Sequence, residues 1–98
     1  MAVRSVEAIV RGMVQGVGFR WFAARAANDA GVSGWVLNEP DGSVLVVAEG
    51  EAPAVDTLLD ALRDGPPGSW VSDVDVTEMP ARGLRGRFEI RAGSHRGD

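Results

Sequence analysis

The chain has 98 residues and sets 14 Asp plus Glu against ten Arg and no Lys, for a net charge of −4. That length suits one domain rather than two, and the charge opposes broad attraction to nucleic acid or to an anionic membrane. The absence of cysteine excludes disulfides, thiolate nucleophiles, iron–sulfur clusters and Cys-built zinc sites.

No apolar run approaches the ~20 residues that span a bilayer, and the N-terminus lacks a signal-peptide core. The expectation is a soluble, cytoplasmic protein. Its single core, drawn from 45% apolar residues, must offset the entropy of ordering.

Val3 to Arg11 alternates with Val6, Ala8 and Val10 on one side, which predicts a first strand with one buried face. A glycine-rich connection from Gly12 to Gly18 follows. Phe19, Phe22, Ala23, Ala26 and Ala30 then recur at helical spacing, and Gly31 stands where a left-handed C-terminal residue belongs. Gly34 to Asn38 and Ser43 to Glu49 flank Pro40-Asp41-Gly42 and read as a hairpin. Pro53 opens a second helix with an apolar stripe of Val55, Leu58, Leu59 and Leu62, closed by Gly65-Pro66-Pro67. Val71 to Met79 supplies a further strand, Pro80 to Gly86 a polar turn, and Arg87 to Arg91 a short last strand around Phe88 and Ile90. Gly93 to Asp98 reads as a frayed tail.

The order βαββαβ with one short extra C-terminal strand predicts an α+β, ferredoxin-like sandwich. A mainly antiparallel sheet would carry two helices on one face, in a single domain over 1–98 with its core at about 5–91. In such a split βαβ unit the third strand lies between the first two. The Gly12–Gly18 loop and Asn38 then meet at one end of the sheet, about 10 Å apart.

Gln15-Gly16-Val17-Gly18-Phe19-Arg20 joins a strand to a helix N-terminus. Glycines there let the backbone turn its N–H groups into one concavity. The helix dipole adds to the attraction for an anion, and Arg20 offers a forked cation. Phosphate or carboxylate is the natural ligand. Trp21 stands where a dinucleotide fingerprint needs its third glycine, and a Walker loop needs a lysine that the chain lacks. The bland alternative is that Gly16 and Gly18 shape a tight connection and Arg20 is a solvated charge.

Asn38 by itself reads as a turn former. Beside an anion loop, its amide could donate to a phosphoryl oxygen or hold a water in line for attack. His95 in the tail is a poor general base, and Glu39 and Asp41 read as solvated turn residues. Trp21, Trp35 and Trp70 read as core or rim packing, and no His, Asp or Glu grouping has metal-ligand spacing. Two other readings compete with catalysis: an anion-sensing module without turnover, and RNA binding on the sheet, which the negative charge opposes.

Gly12-Met13-Val14-Gln15-Gly16-Val17-Gly18-Phe19-Arg20 and Gly34-Trp35-Val36-Leu37-Asn38-Glu39-Pro40-Asp41-Gly42 resemble the two signature stretches of the acylphosphatases, and the likeness runs from about Ser5 to Arg91. The resemblance implies a ferredoxin-like fold and hydrolysis of a small acyl phosphate to a carboxylate and inorganic phosphate, without metal or cofactor. It implies that Arg20 and the backbone N–H groups of Gln15, Gly16, Val17, Gly18 and Phe19 bind the phosphoryl group, while Asn38 orients the attacking water. No nucleic-acid or membrane partner is expected, and the enzyme is expected to work as a monomer.

Overall fold

The computed structural model describes residues 2–92. The tail expected from Gly93 to Asp98, with His95, lies outside the described residues. In chain order the elements are β1 (Val3–Met13), α1 (Phe19–Ala30), β2 (Ser33–Asn38), β3 (Val44–Glu51), α2 (Ala52–Asp64), β4 (Trp70–Met79) and β5 (Glu89–Ile90). The five strands form one sheet in the order β4-β1-β3-β2-β5, antiparallel throughout except for the parallel pair β2–β5. This is the expected βαββαβ sandwich with its short extra strand.

The core follows from period-two and period-3.6 patterning meeting on one side of the sheet. Val6, Ala8 and Val10 of β1, Val36 of β2, and Val44, Val46 and Ala48 of β3 are buried against Phe19, Ala23, Ala24 and Ala27 of α1 and Val55, Leu58, Leu59 and Leu62 of α2. Ala24 and Ala27 are more enclosed than Phe22, Ala26 and Ala30, which the sequence spacing favoured. Gly31 ends α1 at φ 80°, with Gly31 N–H donating to Asn28 O and Val32 N–H to Ala27 O. That is the left-handed cap expected there.

The first strand runs two residues past its expected end. The β1–β4 register shifts between Arg11 and Gly12, a bulge that lets the pairing continue to Met13 opposite Trp70. Gly12 sits at φ +131°, and a Cβ there would lie 2.1 Å from the Trp70 carbonyl oxygen. Only glycine fits the bulge that aims the chain into the loop above.

The segment expected as a turn, Pro80 to Gly86, does more than reverse direction. β4 and β5 are opposite edges of the sheet, so the chain between them must cross it. It crosses the face away from the helices. Glu49 alternates with core-facing Ala48 and is buried there. Its carboxylate accepts the backbone N–H groups of Arg82, Gly83 and Leu84 at 2.8, 2.8 and 3.0 Å. These bonds, that from Arg82 foremost, hold the Glu49 carboxyl below its ordinary range. The Arg82 guanidinium lies over the Trp35 ring at 5.5 Å, and Ser33 Oγ donates to Gly86 O. Beyond this strap Asn28 of α1 clamps Phe88, accepting its N–H at 2.8 Å and donating to its carbonyl at 3.3 Å. Phe88 is thereby held in the core, while Ile90, which was expected on the same face, is 47% exposed.

Candidate active site

Because β1 and β2 both run antiparallel to β3, their C-terminal ends meet at one end of the sheet. Val14 is buried and anchors the start of the glycine loop. Gly16 and Gly18 have φ of 77° and 78°, and a Cβ on either would meet nothing within 4 Å. The requirement for glycine here is therefore the left-handed backbone, not crowding. Gly18 is the N-cap of α1 and brings no side-chain bond, and the first turn holds no acidic residue. The first-turn N–H groups of a helix have no intrahelical acceptor, so this end presents donors and the positive pole of a dipole.

The second half of the site is fixed by register. Asn38 pairs with Val44, which pairs with Val10 on its other side, and both valines belong to the core. Asn38 shares their face and so lies on the side of the sheet that carries α1 and the loop. Between the two halves runs a direct tie: Gln15 Nε2 donates to the carbonyl oxygens of Glu39 at 2.8 Å and of Ser43 at 2.9 Å. The turn that receives it is stiffened by Asp41, whose Oδ1 accepts from Ser43 Oγ at 2.6 Å and Ser43 N at 2.9 Å. Both bonds, the hydroxyl's most, lower the Asp41 pKa, so this carboxylate is a turn fastener rather than a free solvated charge.

A cavity of about 210 Å³ opens where these parts meet, lined by Gly16, Gly18, Arg20, Trp21, Asn38 and Ile90. The structure thus brings Gly16, Gly18, Arg20 and Asn38 together, as sequence reasoning expected. Phe19 and Val17 turn their side chains into the core or against it, Gln15 commits its amide to the hairpin, and none of these three lines the cavity. Sequence reasoning missed the last strand's part. Arg20 Nη1 donates to the Arg91 carbonyl at 3.3 Å. Arg91 is itself fixed by its N–H to Val36 O at 2.9 Å and by its guanidinium 4.0 Å above the Trp35 ring. Ile90 and Trp21 complete the rim. Only Trp21, as neighbour of Arg20 in a first helical turn, could have been found from spacing. Among the described residues no three His, Cys, Asp or Glu side chains gather to hold a metal.

The family model for acylphosphatase matches residues 6–90 of this chain. The chain belongs to the acylphosphatase family. It is 49% identical over 88 residues to an acylphosphatase of Methylococcus capsulatus, covering 90% of this chain and 96% of that one. It is 41% identical over 90 residues to an acylphosphatase of Oceanobacillus iheyensis, covering 91% and 99%. The crystal structure of acylphosphatase from Bacillus subtilis superposes with a TM-score of 0.86 at 39% identity, over 92% of this chain and 99% of that one. An acylphosphatase cleaves the carboxyl–phosphate bond of a small acyl phosphate by hydrolysis, and that is this enzyme's activity.

Proposed function

We propose that Arg20 and the main-chain N–H groups of Gln15 to Phe19 hold the phosphoryl group, and that Asn38 places the attacking water. The observation that carries this reading is the shared cavity: one hollow of about 210 Å³ is lined at once by Gly16, Gly18, Arg20 and Asn38. Water oxygen attacks phosphorus, the bond to the carboxyl oxygen breaks, and its electron pair leaves with the carboxylate. A water proton ends on a phosphoryl oxygen, giving inorganic phosphate. The leaving carboxylate has a conjugate-acid pKa near 4, so it departs as an anion without a general acid. In a loose transition state the water needs placement more than deprotonation, and charge gathers on oxygens that face the nest and the guanidinium. Such chemistry calls on no metal or organic cofactor.

The same reading extends to the whole chain as one domain acting as a monomer in the cytoplasm, without a nucleic-acid partner. The net charge of −4 disfavours polyanions. No helix of the described residues is long and apolar enough to cross a membrane.

Steady-state hydrolysis of benzoyl phosphate, with inorganic phosphate as competitor, tests the two roles separately. Arg20→Ala is expected to lose at least about 10³-fold in kcat/KM and to weaken phosphate competition. Asn38→Ala is expected to lower kcat by about 10²–10³-fold while phosphate competes as before. Normal turnover by Arg20→Ala, or loss of phosphate binding in Asn38→Ala, would overturn the assignment.

A further inference from the structure

A second hollow adjoins the catalytic one. It measures about 570 Å³ and runs along α1 toward the last strand, and Trp21 and Ile90 line both. These two side chains are 61% and 47% exposed, an apolar gateway held open between the phosphate cavity and the groove. Beyond the gateway lie Arg25, Asp29 and Arg87. Two cations against one carboxylate make the groove locally positive on a chain whose net charge is −4. The Arg25 guanidinium stands 5.4 Å from the centre of the Trp21 ring, and Arg25, four residues later on the helix, sits about 6 Å of axis further from the phosphate loop.

We propose that this groove is the acyl subsite of the enzyme, and that it favours acyl phosphates whose acyl chain ends in a second anionic group. The inference rests on the phosphoryl group occupying the cavity at Arg20 and Asn38. The carboxyl–phosphate bond then lies at the gateway, because among the described residues Trp21 and Ile90 are the apolar walls common to the two hollows. The methylene chain packs on those walls, which burial of apolar area favours. A chain of glutaryl length carries its terminal carboxylate to the level of Arg25, with Arg87 across the groove. An acetyl group stops short of both cations. An acyl chain ending in an ammonium group meets like charge there and is disfavoured.

The test is the ratio of kcat/KM for glutaryl phosphate to that for acetyl phosphate, measured at low ionic strength. Arg25→Gln is expected to lower this ratio about threefold to fivefold, the worth of one exposed ion pair. The double variant Arg25→Gln/Arg87→Gln should lower it about tenfold. Arg25→Lys should keep most of it, since charge rather than the guanidinium fork is being read. For the unmodified enzyme the ratio should fall as salt rises. A ratio that stays within twofold in the double variant overturns the subsite while leaving the catalytic reading intact. Failure of the unmodified enzyme to hydrolyse either acyl phosphate overturns both. Circular dichroism of the variants guards against misfolding, since Arg25 and Arg87 are exposed.

Discussion

Glu49→Gln is the substitution that most directly tests how the sheet's outer face is closed. The carboxylate receives three backbone N–H groups within 3.0 Å, two on Oε2 and one on Oε1. A hydrogen bond to a charged group is worth about 1.5–3 kcal/mol, against roughly 1 kcal/mol for a neutral one. A carboxamide has one accepting oxygen, so one bond is lost to an opposing NH2 and the others fall to neutral strength. Because water can reach the strap and recover part of this, the expected loss is about 2–3 kcal/mol, or about 10–20 °C in Tm for a domain of this size.

The pH dependence fixes the sign. The folded-state pKa of Glu49 lies below its ordinary value of 4.5. Its stabilisation is therefore complete above that value and vanishes as pH falls through the lower folded one. Carboxylates common to both proteins cancel in the difference. Urea denaturation of the two proteins at pH 7 should show the full gap, and the gap should close as pH falls below the ordinary carboxylate value. A gap under about 0.5 kcal/mol at pH 7, or one that persists unchanged in acid, would refute the pinning of the strap by this carboxylate.

Further outcomes follow from the glycine backbone and from the Gln15 side chain. Gly34 sits at φ +139° with a hypothetical Cβ 1.8 Å from the Val47 carbonyl oxygen, so Gly34→Ala should cost at least about 3 kcal/mol; Gly50→Ala, with contacts of 3.6 Å or more, should leave the denaturation midpoint nearly unchanged. Gly18→Ala meets no atom but forces a left-handed dihedral, costing about 1–2 kcal/mol; relief by peptide rotation turns N–H groups away, so inorganic phosphate should inhibit more weakly. Gln15→Ala removes both ties between the loop and the β2–β3 turn, at about 1 kcal/mol each, and should lower kcat/KM for benzoyl phosphate together with Tm. An unchanged kcat/KM would show that the loop holds its shape without the hairpin.

Much of the architecture was legible because patterning and turn chemistry agreed. The β1 alternation of Val6, Ala8 and Val10, the α2 stripe and the caps at Gly31 and Gly65 are local signals that tertiary packing reinforced. The meeting of Arg20 with Asn38 was legible too, since strand order alone places both at one end of the sheet. What escaped was non-local. Nothing in the spacing of Glu49 says that three N–H groups over thirty residues away will converge on it. The polar stretch after Pro80 carried turn residues, yet only the strand order reveals that it must traverse a sheet. Arg91 serves Arg20 through a carbonyl, which every residue has, so no side-chain identity could announce it.

The bond from Arg20 to that carbonyl has a temporal corollary. During synthesis, the glycine loop, the guanidinium and the carboxamide all leave the ribosome long before residues 89 to 91 can dock beside β2. A nascent chain halted after β4 would own every group assigned to the chemistry and still lack both the Ile90 wall and the Arg91 carbonyl that accepts from Arg20. The hollow that gathers those groups thus acquires its last wall only when β5, the latest-made of the five strands, pairs with β2.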